Sequence, residues 1–377
     1  MSVEVQDKVS VSLFVDGEEI LFGRANTLHS LQVSESVDLS VPMLQVSLSD
    51  QYEQISSEGM MADGALIRVV LHPRTDATKT KLDCTFRLNS VNRTTEGGIT
   101  RVNLDAYLDV PLYWHAASSR EFKGTSSACL SSLASECGMD FDVDATSDAQ
   151  TWYPAQTVNH LWARHVAQHG FKSSSSCMQL AVTSGKRLLY KDLNMARPPK
   201  DRMSYVEVRP EYILVTDAAP SIRSGTSNHV GGYYYGRVKQ SIKSGVEVLD
   251  QVNAPKGRGD KSLMVNKKLH SKVELGRTKF SAIDVGNTHD SYEAAFHQNL
   301  RLRSLYAAST AVLTPECTDL QLLDWVQFAV DSNYGSMAAF SGMYQVMSKA
   351  SILRGTDYVE RFELGRRSLP VALKDAL

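Results

Sequence analysis

Cysteine is scarce in this sequence and poorly spaced for chemistry. The five residues, Cys84, Cys129, Cys137, Cys177 and Cys317, are odd in number, and no two stand in CxxC or CxxxxC order. Neither a disulfide framework nor a zinc ribbon is expected, and reduced thiols in a cytoplasm are the default. Long apolar runs are also missing, since none approaches the roughly 20 residues a membrane-spanning helix needs. The start of the chain, residues 1–12, alternates polar and apolar side chains with no basic opening, so no signal peptide is expected. Charge of one sign is not in excess: 40 Lys+Arg against 42 Asp+Glu leave a net charge of -2. Such a balance excludes a global pull on nucleic acid or anionic lipid. With 23 Gly, 11 Pro and 42% hydrophobic residues, collagen-like and disordered readings fall away. The motifs GxxxxGK[ST], GxGxxG, GxSxG and HExxH are all absent, which weakens the case for the common phosphate, dinucleotide, ester and zinc enzymes.

At roughly 150 residues per domain, 377 residues suggest two or three domains with a sizeable core. Charge is unevenly divided among them. Residues 1–112 carry 9 Lys+Arg against 16 Asp+Glu, residues 113–193 carry 7 against 7, and residues 194–377 carry 24 against 19. An acidic first third and a basic final half suit complementary surfaces in an assembly.

Residues 1–112 read as all-β. Val9, Val11, Leu13 and Val15 alternate with polar neighbours up to Asp16-Gly17, a pair suited to a hairpin turn, and Ile20 and Phe22 follow. Further period-2 runs lie around Leu31, from Met43 to Leu48, Leu66 to Leu71, Leu82 to Leu88 and Thr100 to Leu108. About seven short strands predict a small antiparallel barrel or sandwich.

The period then becomes helical. Leu130, Leu133, Ala134 and Cys137 are spaced i, i+3, i+4, i+7, with Thr125 or Ser126 to cap and Gly138 to stop. Val158, Leu161, Trp162, His165 and His169 predict a second amphipathic face ending at Gly170. Two strands, Cys177 to Val182 and Arg187 to Leu193, complete an α/β module over 113–195. A second β body is expected over 196–250 and 300–370, from runs at Tyr205 to Val208, Tyr212 to Val215, Tyr233 to Val238, Leu320 to Val330, Tyr344 to Ser348 and Tyr358 to Leu364. Between its halves, 251–299 reads as an inserted basic segment with a helix near Tyr292 to Leu300. The expected fold class is mainly β with α+β insertions: two small antiparallel β-barrels, an α/β module and that segment.

Few residues carry a chemical signal. His165 and His169 have metal-ligand spacing, yet Val166 stands where a zinc protease needs its Glu, so a helix-edge role for these histidines and His160 is preferred. Cys137 and Cys177 share the module with them and could pair as a nucleophile and base, although buried free cysteine commonly acts as a small hydrophobe. Asp140, Asp142, Asp144 and Asp148 offer the paired carboxylates that glycoside hydrolysis needs but lack the DxDxDG calcium pattern, and a solvated edge is the expectation. Arg258-Gly259-Asp260 reads as a turn in a charged loop.

The basic segment stands out more. From Lys239 to Lys279 there are 10 Lys+Arg against 4 Asp+Glu and no aromatic residue. Nucleic-acid readers usually interleave aromatics for stacking. Lys256, Arg258, Lys261, Lys267, Lys268 and Lys272 are therefore expected to touch an acidic neighbour or passing DNA, or to form a solvated loop.

The order of elements resembles a known family. Phe122-Lys123-Gly124-Thr125, Trp152, and Val158-Asn159-His160-Leu161-Trp162 through His169-Gly170-Phe171 look like the hub module of contractile phage tails. Ser341-Gly342-Met343-Tyr344-Gln345-Val346 and Phe362-Glu363-Leu364-Gly365-Arg366 are similar to its closing barrel strands. The family is the baseplate hub protein, related to late-control protein D and to the N-terminal part of type VI secretion spike proteins. The resemblance implies two similar barrels per subunit and a homotrimer forming a pseudo-sixfold ring between the sixfold tail tube and the threefold central spike. It further implies a structural, non-enzymatic virion protein of the tail baseplate, assembled in the host cytoplasm, with DNA passing through. Its expected partners are the spike and tail tube proteins, with the tape-measure protein and baseplate wedge as further candidates. No cofactor, metal or stable small-molecule ligand is implied. Because the chain ends soon after the last strand, spike and cell-wall hydrolase are expected to be separate chains. Two other readings stay open: a peptidoglycan hydrolase using the Asp140 to Asp148 cluster or the Cys/His set, and a carbohydrate-binding tail protein suggested by β content and 15 tyrosines.

Overall fold

Strand alternation builds the first body. In the computed structural model, β1 (Val9–Val15) reverses through Asp16 and Gly17, both at positive φ (48° and 92°), into β2 (Glu18–Glu19), so that Val15 pairs with Glu18. A two-residue reversal with two left-handed positions matches the twist of its strands, and Gly17 takes its position without a Cβ. Next come β3 (Asn26–Ser36), β4 (Met43–Asp50), β5 (Leu66–Pro73), β6 (Leu82–Glu96) and β7 (Ile99–Leu108). They form an antiparallel run in the order β2-β1-β5-β6-β7-β4-β3. Between β4 and β7, Leu44 faces Ala106, Val46 faces Leu104 and Leu48 faces Val102, all of them buried. A slip of one residue would turn the whole set to solvent, and this fixes the register.

The structure describes residues 9–205 apart from 21, 23–25, 38, 51–61, 74–79, 97–98, 155–156, 174–175, 177 and 194–196, and then 221–222, 246–249, 262–265, 308–314, 318–330, 341–355 and 357–366. The strands expected at Tyr212 to Val215 and Tyr233 to Val238, and the helix expected at Tyr292 to Leu300, lie outside the described residues.

The α/β module follows as α1 (Pro111–Trp114), β8 (Phe122–Gly124), α2 (Ser126–Glu136), β9 (Asp140–Val143), β10 (Gln150–Trp152), α3 (Asn159–His169), β11 (Met178–Thr183) and β12 (Arg187–Asp192). Its sheet has the order β11-β12-β9 with β9 parallel to β12, and β8 pairs with β10 as a ribbon. Thr125 caps α2 by accepting the Ala128 N–H at 3.2 Å, and Gly138 ends it at φ 69°. The predicted apolar face of α2 is buried as expected. The face of α3 is rotated from the expected one: Trp162, Ala163, Val166, Ala167 and His169 are buried, while Leu161 and His165 point to solvent. The buried arc runs through two alanines, whose small side chains contribute little to an apolar pattern.

The second body contains β13 (Asp201–Tyr205), β14 (Ser221–Ile222), a separate ribbon of β15 (Val246–Leu249) and β16 (Ser262–Val265), then β17 (Ala308–Thr314), β18 (Trp325–Val330), β19 (Gly342–Arg354) and β20 (Asp357–Arg366). The strand expected from Leu320 begins only at Trp325, because the chain turns at Leu323 (φ 67°). Strand order is β14-β17-β20-β19, and β19 then pairs antiparallel with β3. Among the described residues the two β bodies are thus one continuous sheet of 13 strands, including β18 on β19 and β13 parallel to β18. The module shares its apolar core with the first body.

The end of α3 packs closely on β12 and the start of α2. A Cβ on Gly170 would lie 2.1 Å from Tyr190 Oη and 2.7 Å from Ser126 Oγ. Gly170→Ala is therefore expected to lower unfolding stability by about 1–3 kcal/mol, read from the urea midpoint. An unchanged midpoint would contradict this close approach.

Candidate functional site

The structure separates the residues that the sequence offered for chemistry. Asp140 and Asp142 sit exposed on β9, where Asp142 pairs with Lys191. Asp144 accepts from Arg197 and from the Asp192 N–H, both at 2.7 Å. Asp148 departs from the expected solvated edge. It is only 4% exposed and accepts the N–H groups of Ser126 (2.8 Å) and Phe171 (2.6 Å). The first bond satisfies a donor that the start of α2 leaves unpaired, and the second ties the chain just past the end of α3 to the same carboxylate. One aspartate buried on backbone amides and two exposed on an edge do not frame a shared cleft for glycoside hydrolysis.

The histidines also have local roles. His160 donates from Nδ1 to the Trp114 carbonyl (3.2 Å) and stacks on Trp114 at 4.4 Å, with Tyr107 stacked on the same indole at 5.0 Å. Burial, chiefly, lowers the His160 pKa. His169 donates from Nδ1 to the His165 carbonyl (2.8 Å), the bond one turn of helix provides. Among the described residues no three His, Cys, Asp or Glu side chains gather as a metal site. Cys137 receives a long contact from the Asn159 amide (3.7 Å), and burial pushes its thiol up to about 11. Cys177, Arg258-Gly259-Asp260 and the six basic residues Lys256, Arg258, Lys261, Lys267, Lys268 and Lys272 lie outside the described residues.

A cluster that the sequence reading missed sits where the three bodies meet. Across the β3–β19 seam, Leu31 faces Leu353, Val33 faces Ser351 and Glu35 faces Lys349. The inward face of the seam thereby passes from apolar to charged along its length. Glu35 is buried and accepts the Ser184 N–H from the β11–β12 turn at 3.0 Å. Next to the seam, Glu360 on β20 is fully buried, pairs with Lys81 at 3.0 Å and accepts from Thr318 Oγ1 (2.7 Å), Thr318 N (3.1 Å) and Tyr358 Oη (2.8 Å). Lys349 donates to the Leu320 carbonyl at 2.8 Å and stands over the Phe362 ring at 5.7 Å. Burial lowers the Lys349 pKa; the Glu360 and Glu35 carboxylates oppose this, while the Lys81 and Lys200 charges add to it. A cavity of about 440 Å³ opens beside these groups, with Glu35, Lys81, Arg187, Lys200, Asp319 and Lys349 in its wall. Such a network ties the bodies together, since removing one member of a buried ion pair commonly costs about 3–5 kcal/mol. One signal was available in the sequence: Glu35 and Glu360 each occupy the apolar phase of an alternating strand.

No family model matches the chain, and no curated protein matches its sequence. Solved structures do share its fold. A tail protein of Neisseria meningitidis overlays with a TM-score of 0.61 at 14% identity, covering 95% of this chain and 97% of that one. The 43 kDa tail protein of prophage MuSo2 from Shewanella oneidensis overlays with a TM-score of 0.61 at 10% identity, covering 95% and 98%. A type VI secretion component of E. coli overlays more loosely, with a TM-score of 0.46 at 9% identity over 94% of this chain and 77% of that one. The mainly β fold of this chain is that of the two tail proteins.

Burial of the thiols has a measurable consequence. With Cys137 raised to about 11 and Cys84 and Cys129 to about 12, only about a thousandth or less of each is thiolate near pH 8. Peptide mapping after iodoacetamide treatment is expected to find these three unmodified in the folded protein and modified after unfolding. Rapid native alkylation of Cys137 would revive it as a nucleophile.

Proposed function

We propose that this chain is a baseplate hub of a phage tail, a structural and non-enzymatic protein. Three copies form a pseudo-sixfold ring that joins the sixfold tail tube to the threefold central spike and lets DNA pass. The observation that carries this reading is the fold shared along 95% of the chain with two tail proteins, over 97% and 98% of their lengths. Strand order supports it. One open sheet runs through both β bodies, and its ends, β2-β1 and β14-β17, meet no further strand among the described residues. Unlike ends that meet between copies make a heterologous contact, which closes into a ring when the rotation allows, and closure hides exposed edges.

In this reading 1–112 is the tube-like barrel, 196–250 with 300–370 is its counterpart, 113–195 is the α/β module and 251–299 is an insertion. The partners are the spike, the tail tube protein, the tape-measure protein and the baseplate wedge. The seat is the contractile-tail baseplate of the virion, after assembly in the host cytoplasm. Lys256, Arg258, Lys261, Lys267, Lys268 and Lys272 meet an acidic surface of a neighbouring copy, for which the first body, with 9 basic against 16 acidic residues, is suited. Among the described residues the hydrolase alternative finds no shared site: Asp148 is buried on backbone amides and the Cys137 thiol is held neutral.

Native mass measurement of the protein purified with its spike is expected to find three copies. A strict monomer at high concentration with spike present would overturn the hub reading. Replacing Lys267 and Lys268 by Glu is expected to weaken assembly, with an effect that fades as salt rises, because screening acts beyond about 8 Å at physiological ionic strength. Unchanged assembly at low salt would reduce the segment to a solvated loop.

A further inference from the structure

We infer that the cavity at the meeting of the three bodies is a binding site for a small tetrahedral oxyanion of the phosphate class. This inference is independent of the hub reading. Four cationic side chains line one space of about 440 Å³: Lys81 from the first body, Arg187 from the module, Lys200 from the segment that follows it and Lys349 from the second body. Their counter-charges are mostly spent or placed behind the wall. Asp83 lines the cavity, but Arg68 takes both of its oxygens at 2.7 Å. Glu360, which pairs with Lys81, and Asp324, which pairs with Lys200 at 2.9 Å, are not part of the lining. Two carboxylates, Glu35 and Asp319, remain in the wall, and one Glu35 oxygen is committed to the Ser184 N–H.

The donors suit the ligand. Lys349 spends one of its three N–H groups on the Leu320 carbonyl and has no carboxylate within ion-pair distance among the described residues. Arg187, exposed in the cavity wall, likewise has no ion-pair partner among the described residues. A guanidinium fork with ammonium point charges is the usual equipment for binding a phosphate. The space holds such an anion together with bridging waters, each of which needs about 30 Å³. A bound anion would also offset the repulsion among Lys81, Lys200 and Lys349, and would join side chains from separate bodies.

Thermal unfolding in inorganic phosphate, against sodium chloride at matched ionic strength, tests the site. A saturable rise in Tm is expected for the wild type. Its apparent affinity should fall about tenfold or more in Arg187→Gln and in Lys349→Met, the effect of losing one charge-assisted hydrogen bond. Glycerol 3-phosphate run in parallel distinguishes a site for free phosphate, which it would not occupy, from one for a phosphate monoester, which it would. No saturable rise with either probe, or an equal rise in wild type and variants, would overturn the proposal. Should Lys349→Met fail to fold, Arg187→Gln, whose side chain is exposed, carries the comparison.

Discussion

Pairing of β3 with β19 is the constraint on which the rest of this structure depends. Through that ladder two antiparallel runs become one sheet, and its register decides which side chains are carried inward. Leu31, Val33, Leu353 and Ser351 satisfy the buried face. The next pair along, Glu35 and Lys349, brings charge into the same layer. Buried charge is tolerated only with hydrogen bonds and opposite charge at hand; here loops give Glu35 the Ser184 amide and Lys349 the Leu320 carbonyl, and the carboxylates of Glu360 and Glu35 on the neighbouring strands favour the Lys349 charge. The junction of three bodies is therefore polar and contains a cavity, whereas the core shared by the first body and the module is apolar.

Buried carboxylates play a common part in this arrangement. Glu35 holds the Ser184 amide, Glu360 holds the Thr318 amide, and Asp148 holds those of Ser126 and Phe171. Each fixes a turn or a helix start where the backbone has no strand partner to satisfy it. Bonds to a charged acceptor are stronger than neutral ones, and the donors gathered on each carboxylate also offset its burial. The acidic residues of β9 and the loop after it take opposite roles for this reason. Asp142 stays at the surface with Lys191, and Asp148, six residues on, is buried.

Much of the fold was legible in local pattern. The Asp16-Gly17 reversal, the alternation of β4 and β7 and the cap and stop of α2 all follow from neighbours within a few residues of one another. The α3 face was misplaced by one position, because Ala163 and Ala167 bury easily but contribute little to a hydrophobic count. Of the candidate chemistry, the sequence could name residue types but not their company. His165 and His169 share a helix, yet one faces solvent and the other the core. The junction escaped notice because Glu35, Lys81, Lys349 and Glu360 come from distant parts of the chain, and a single charge in an alternating strand reads as an interruption of the pattern.

Taken alone, the sequence determined the mainly β class, the α/β interlude, the turn and cap positions and the uneven spread of charge, since all of these arise from short-range periodicity and composition. Tertiary structure alone decided that the two β bodies join edge to edge, that Glu35 stands opposite Lys349, and that four cations from separate segments face one cavity. The physical reason is that strand pairing between distant segments depends on backbone groups that every residue carries. Side-chain order cannot announce which edge will meet which, and the meeting of edges sets where buried charge must be resolved.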